Sequence, residues 1–333
     1  MTQRGDRPAS EAAVAIRQGD RRVLAKTITL LESKRPDQAS IGQDILEELV
    51  AYTGSSIRVG ITGPPGVGKS TFIECLGMFL LERGHQVAVL AVDPSSPVTG
   101  GSILGDKTRM ECLAQQEKAF IRPSPSSGSL GGVADRTREA MLLCEAGGYD
   151  VVIVETVGIG QSEISVHAMV DFFLVLLQPG AGDELQGIKK GVLELADALV
   201  VNKADGSQKD AADRSAGQHR QALGLLRPKS ANWTPRVLTV SSLEGSGIEV
   251  VWQAILEHLT ALEACGEHQS RRREQARAWM WSLVEQGLNR SFRADAAVAA
   301  RIEDLEREVL AFETTPATAA KRLLDAFRCP GTG

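Results

Sequence analysis

Cysteine is scarce and scattered: five residues, at 75, 112, 144, 265 and 329, with no C-x-x-C pair. An odd, dispersed set fits free thiols in a reducing compartment better than a disulfide framework. None of the five histidines pairs with a cysteine at ligand spacing, so no structural zinc is expected. Neither sign of charge dominates. The formal net charge is −5, which gives no global field favouring nucleic acid or an anionic membrane. No apolar run reaches about 18 residues, and the first residues lack the apolar core of a signal peptide. Membrane spanning and export are therefore not expected, and the sequence reads as a cytoplasmic protein.

What is present has a clear order. Residues 1–10 are polar. Residues 11–53 carry helical periodicity (Val14, Ile16, Val23, Leu24, Ile28, Leu30, Leu31, Ile45, Leu46, Leu49, Val50), broken at Pro36 into at least two helices. From residue 56, short β-branched runs alternate with helices, and strands are predicted at 57–62, 86–92, 150–155, 172–177, 197–201 and 236–241. Such alternation implies an α/β fold, a mostly parallel sheet with helices on both faces. Residues 268–329 are charged, rich in Ala, Glu and Arg, and read as two or three helices, too narrowly apolar for a large core of their own. The predicted divisions are 1–54 (N-terminal helical extension), 55–262 (nucleotide-binding domain) and 263–333 (C-terminal helical region).

Residues 63–70, Gly63-Pro64-Pro65-Gly66-Val67-Gly68-Lys69-Ser70, form a complete G-x-x-x-x-G-K-[ST] phosphate loop. It stands between a predicted strand and an apolar-periodic helix (Phe72, Ile73, Leu76, Phe79, Leu80), the context the motif requires. Backbone N–H groups and the positive end of the helix form a nest for a polyphosphate. Lys69 can reach the β/γ-phosphates and Ser70 can ligate Mg²⁺. The chain is therefore expected to bind a nucleoside triphosphate.

Asn202-Lys203-Ala204-Asp205 follows the apolar run 198–201. A carboxylate there can accept both N1–H and the exocyclic N2–H₂ of guanine, a donor pair adenine lacks. Asp205 is thus read as the guanine reader, Asn202 as a brace of the loop, and the Lys203 stem as lying along the base. Ser241-Ser242-Leu243, after the next strand, form a second base-side loop. The strand Val151-Val152-Ile153-Val154 delivers Glu155 to the phosphate end, and Gly158, three residues on, can bring a backbone N–H near a γ-phosphate. Most GTPases carry Asp where this chain has Glu155; the longer side chain suits water-mediated contact with Mg²⁺ at least as well as direct ligation. Asp93, ending a predicted strand, and Asp106 are further candidates for metal or catalytic roles, although Asp106 also fits a plain helix N-cap.

Taken in order, G-P-P-G-V-G-K-S-T (through Thr71), V-D-P-S-S-P, G-D-K-T-R-M, E-T-V-G-I-G-Q-S-E, Q-P-G-A-G-D-E-L-Q-G-I-K-K-G and N-K-A-D resemble the MeaB/ArgK GTPases, P-loop proteins with Glu in the third G motif. The resemblance spans roughly residues 10–330. It implies a G-protein chaperone that gates adenosylcobalamin loading and protects an adenosylcobalamin-dependent acyl-CoA mutase, typified by methylmalonyl-CoA mutase. It also implies a homodimer through the C-terminal helices. Carried over by motif, Lys69 and Ser70 bind phosphates and Mg²⁺, while Asp93, Asp106 and Glu155 surround the metal and the attacking water. Residues 183–190 (Asp183, Glu184, Gln186, Lys189 and Lys190 among them) match an additional switch that couples nucleotide state to the mutase. Loops 94–106, 158–163 and 180–190 are expected to close around Mg²⁺·GTP. Ile159 follows Gly158 where a water-orienting Gln could stand, and Gln161 lies near, so slow intrinsic hydrolysis is expected. The alternatives are a metal-insertion GTPase and a transport-system kinase. Arg271-Arg272-Arg273 reads as a solvated helix face rather than a nucleic-acid patch, and Trp279 and Trp281 as packing residues.

Overall fold

The computed structural model describes residues 10–92, 110–123, 130–156, 162–180, 190–224 and 229–328. Among the described residues, seven parallel strands run in the order β3-β2-β4-β1-β5-β6-β7. They are β1 (Ile57–Thr62), β2 (Val87–Val92), β3 (Ala119–Arg122), β4 (Val151–Thr156), β5 (Phe172–Leu177), β6 (Ala198–Val201) and β7 (Arg236–Thr239). The inner strands read as nearly unbroken apolar runs (Val-Ala-Val-Leu-Ala-Val, Phe-Phe-Leu-Val-Leu-Leu) because helices cover both faces and every side chain meets a core. Six strands agree with the sequence expectation to within two residues. The edge strand β3 is an addition: only Ala119 and Phe120 of its four residues are buried, too short a pattern to stand out.

Alternation divides the strands between two cores. Val152, Val154, Phe173 and Val175 join one, with the N-terminal helices α1 (Glu11–Arg17), α2 (Arg21–Leu31) and α3 (Pro36–Leu49) and with α6 (Leu130–Ala146). Val59, Ile61, Ile153 and Leu174 join the other, with α4 (Lys69–Glu82) and α10 (Ile248–Ala264). The N-terminal helices therefore cover one sheet face. Pro36 occupies the first turn of α3, where its missing N–H costs nothing. Residues 1–272 form one compact unit and 273–333 a second. The second consists of most of α11 (Glu267–Ala294), with α12 (Ala296–Leu310) and α13 (Pro316–Arg328), in which Phe292 packs edge-on against Phe327.

The N-terminal edge of the sheet is a charged layer. Asp171 and Asp197 immediately precede β5 and β6, and each accepts a backbone N–H from a neighbouring strand, Arg58 N and Phe173 N. Arg272 pairs with Asp171 at 2.6 Å, Lys229 with Asp197 at 2.7 Å, and Arg58 with the buried Glu145 at 2.6 Å. Arg271 lies 3.9 Å from Asp197. Arg271 and Arg272 are thus not a solvated face: their side chains are largely covered and anchor the start of α11, and only Arg273 is exposed. Burial opposes ionisation of Asp197, yet His258, whose Nε2 lies 3.6 Å from Oδ1, and the charges of Lys229 and Arg271 hold its pKa down at about 2.

His167, the last residue of helix α7 (Ser162–His167), stands among these cations. Its Nε2 is 3.1 Å from Lys229 Nζ and 3.0 Å from Arg271 Nη2, and both cations donate, so the ring serves as a neutral acceptor. Burial, then the charges of Lys229 and Arg271, push its pKa down to about 3. A depressed folded-state pKa contributes stability that is complete above the unfolded value near 6.5 and is lost as pH falls toward about 3. The melting temperature is expected to drop by roughly 2–4 °C per pH unit between pH 6 and 4 from this group. In His167→Gln, which keeps an acceptor that does not titrate, calorimetry across that range should show a shallower fall.

Candidate functional site

The phosphate loop leaves β1 at Gly63 and enters α4 at Lys69, at the sheet's C-terminal edge, where open α/β sheets bind their ligands. Gly68 takes the left-handed conformation (φ +94°) that an L side chain adopts at a cost, and a Cβ there would lie 2.8 Å from Asn202 Nδ2. Only glycine fits, because another loop presses against this one. The Lys69 ammonium donates to Gly63 O at 2.7 Å and to Pro64 O at 3.3 Å. Ser70 follows in the first turn of the same helix, Pro65 and Thr71 are exposed, and Val67 is buried.

The loop pressing on the phosphate loop is 202–205. Asn202 is buried (1% exposed) and uses both ends of its amide. Nδ2 donates to Val67 O at 2.9 Å, while Oδ1 accepts from Ser242 Oγ at 2.7 Å and Ser242 N at 3.2 Å. One side chain therefore ties the phosphate loop to both base-side loops. Lys203 sits at φ +59°, a conformation held by surroundings that over-determine it. The N–H of Asn202 bonds Leu177 O, that of Ala204 bonds Val240 O, and Lys203 Nζ donates to Gly66 O at 2.7 Å. Ser241 Oγ donates to Asp205 Oδ2 at 2.6 Å and accepts from Glu244 N, leaving Asp205 Oδ1 for a further donor. Leu243 is 82% exposed beside them.

Glu155 is buried (5% exposed) at the end of β4, in register with Ile61 of β1 and Ala91 of β2. Alternation puts it on the face shared with α4, hence on the side where Lys69 and Ser70 begin that helix. Next to it, Thr156 Oγ1 donates to Thr62 Oγ1 at 2.7 Å, a buried pair the motifs did not reveal; its only trace in the sequence is a Thr ending each of two largely apolar strands. The structure thus gathers residues 63–71, Glu155, 202–205 and 241–243 along one sheet edge. Asp93, Asp106, Gly158, Asp183, Glu184, Gln186 and Lys189, and the side chain of Lys190, lie outside the described residues.

Removing the Asn202 amide would strand Val67 O and the Ser242 donors, each buried, at about 1–3 kcal/mol. Asn202→Ala is therefore expected to weaken GDP binding roughly 10–100-fold, measured by titration calorimetry, and to lower the melting temperature by several degrees.

The family model described as Methylmalonyl Co-A mutase-associated GTPase MeaB matches residues 24–297. The GTPase ArgK of Escherichia coli is 53% identical over 277 residues, 83% of this chain and 84% of that protein. The Mus musculus methylmalonic aciduria type A homolog, mitochondrial, is 45% identical, covering 93% of this chain and 77% of its own length. Among solved structures, one titled LAO/AO transport system kinase superposes with a TM-score of 0.76 at 40% identity, covering 96% of this chain and 97% of its own. The chain belongs to the MeaB/ArgK family of P-loop GTPases, and it hydrolyses GTP.

Proposed function

We propose that GTP turnover here is a timing device for a second enzyme: the chain gates adenosylcobalamin loading into a cobalamin-dependent acyl-CoA mutase and protects or reactivates it. Methylmalonyl-CoA mutase or a close relative such as 2-hydroxyisobutyryl-CoA mutase is the client. Adenosylcobalamin enters only through that partner. The observation that carries the reading is the joint bracing of the phosphate and base loops by Asn202 and Lys203, in a chain matched along residues 24–297 by a family described as mutase-associated. A site so rigid at the base and α-phosphate end leaves nucleotide state to be read at the γ-phosphate end, toward Glu155 and the segments expected to switch.

The residue roles follow. Asp205 reads guanine, with Ser241 fixing the rotamer of its carboxylate; Lys69 holds the β/γ-phosphates. Mg²⁺ suits the oxygen donors described on this edge, the Ser70 hydroxyl and the Glu155 carboxylate, and Asp93 and Asp106 would complete the set. Bound there, the metal would offset charge on the phosphates; the protein positions and orients. Asp183, Glu184, Gln186, Lys189 and Lys190 would couple the site to the mutase. Homodimerisation through the C-terminal helices is supported by a stripe on α11 (Met280, Trp281, Val284, Leu288) that is 41–59% exposed at helical spacing. Among the described residues no helix is long and apolar enough to cross a membrane. We place the protein in the cytoplasm, acting on another protein rather than on nucleic acid or lipid.

Two outcomes are expected. In Asp205→Asn the carboxylate that pairs both guanine donors becomes an amide, which can donate to the 2-oxo group of xanthine. GDP affinity should fall at least about a hundredfold and xanthosine diphosphate should gain, read by competition binding. Purified mutases for methylmalonyl-, isobutyryl-, ethylmalonyl- and 2-hydroxyisobutyryl-CoA, each passed over the immobilised protein with GDP or a non-hydrolysable GTP analogue, should include one that binds in a nucleotide-dependent way and raises kcat. Failure of all four in both states would remove the chaperone reading. A transport-system kinase, the wording attached to the superposed structure, would instead pass the γ-phosphate to a protein acceptor rather than to water.

A further inference from the structure

Thr62 and Thr156 end adjacent parallel strands at the reacting edge. Both are buried (1% and 0% exposed), and Thr156 Oγ1 donates to Thr62 Oγ1 at 2.7 Å. The ladder pairs Ile61 with Glu155, so the threonines stand one step further along the same two strands. Thr62 is bonded directly to Gly63, whose carbonyl receives the Lys69 ammonium; Thr156 is bonded directly to Glu155. We propose that this hydroxyl pair is a positioning element for GTP hydrolysis, fixing the end of β4, and with it the Glu155 carboxylate, against the first residue of the phosphate loop. The proposal rests on the reading of Glu155 as the metal-side carboxylate.

Packing alone does not call for hydroxyls here. Strands buried on both faces are filled by aliphatic side chains, and Val has nearly the shape of Thr without a polar group to satisfy. A hydrogen bond has a defined length and direction that aliphatic contact lacks, so it sets the relative height of two strand ends. Alternation turns the threonines to the sheet face covered by α7, opposite the face Glu155 shares with α4. On that side the layers already meet closely: a Cβ on Gly60 of β1 would lie 2.9 Å from Val166 Cγ1 and Phe173 Cδ2. The pair is thus backed by a tightly packed layer and acts on the site through Glu155 and Gly63 rather than by touching the substrate.

The double variant Thr62→Val/Thr156→Val keeps the shape and leaves neither hydroxyl orphaned, so folding should survive. GTP hydrolysis is measured against Mg²⁺ concentration, with GDP affinity and melting temperature, beside Thr156→Ser and Glu155→Gln. Expected are a kcat lower by about tenfold and a higher Mg²⁺ requirement, with GDP affinity and melting temperature unchanged. Thr156→Ser, which retains the donor, should keep most of the rate. A double variant with wild-type kcat and Mg²⁺ dependence, beside an impaired Glu155→Gln, overturns the proposal and leaves the role of Glu155 intact. A Glu155→Gln protein with wild-type turnover removes that role and the proposal together. Should the double variant not fold, Thr156→Val against Thr156→Ser makes the same comparison, and equal rates overturn the proposal.

Discussion

The Asn202 amide is the interaction on which the rest of the site depends. Through Nδ2 on Val67 O and Oδ1 beneath Ser242, a single buried side chain joins the loop for phosphates to the two loops beside the base. Those segments lie up to 135 residues from it in the chain. A 3.8-Å-per-residue polymer does not hold such segments together by connectivity; a satisfied buried polar group does, because breaking it leaves donors and acceptors unpaired on both sides. Lys203, strained at φ +59° with its ammonium on Gly66 O, adds a second tie. The glycine at 68 is then a requirement of this junction, since any side chain there would collide with Asn202.

The sheet separates two kinds of chemistry. Its C-terminal edge carries the phosphate loop, loops 202–205 and 241–243, and Glu155. Its N-terminal edge carries Asp171, Asp197 and Glu145, neutralised by Arg272, Lys229 and Arg58 within the fold. Buried pairs of this kind add little net stability over apolar packing, but losing one partner is costly, so they act as registers. Here they fix the starts of β1, β5 and β6 and the first turns of α11. The strands thus run from a clamped charged edge to the edge that carries the phosphate loop.

Most of the sheet was legible in the sequence because inner parallel strands are apolar along most of their length, as residues 151–154 and 172–177 are. The strand β3 escaped because at an edge only Ala119 and Phe120 needed to be apolar, and four residues hold no period. The phosphate and guanine motifs were legible because each fixes several residue types at once. The cross-links between them were not: spacing along the chain says nothing of an amide that bridges loops 135 residues apart. The arginines 271 and 272 misled for the same reason. A basic run looks solvated until Asp171, some hundred residues upstream, is placed beside it. The Thr62–Thr156 bond is the quietest case, two ordinary strand residues given meaning only by register.

In the reading proposed above, one pre-assembled guanine site recognises base and phosphate together. Calorimetric titration of the same protein with GDP and with ADP tests it most directly. The rigid Asp205–Ser241 arrangement leaves a carboxylate oxygen unpaired when adenine is offered, so GDP should bind at least about a thousandfold more tightly than ADP. Equal affinities would contradict the account.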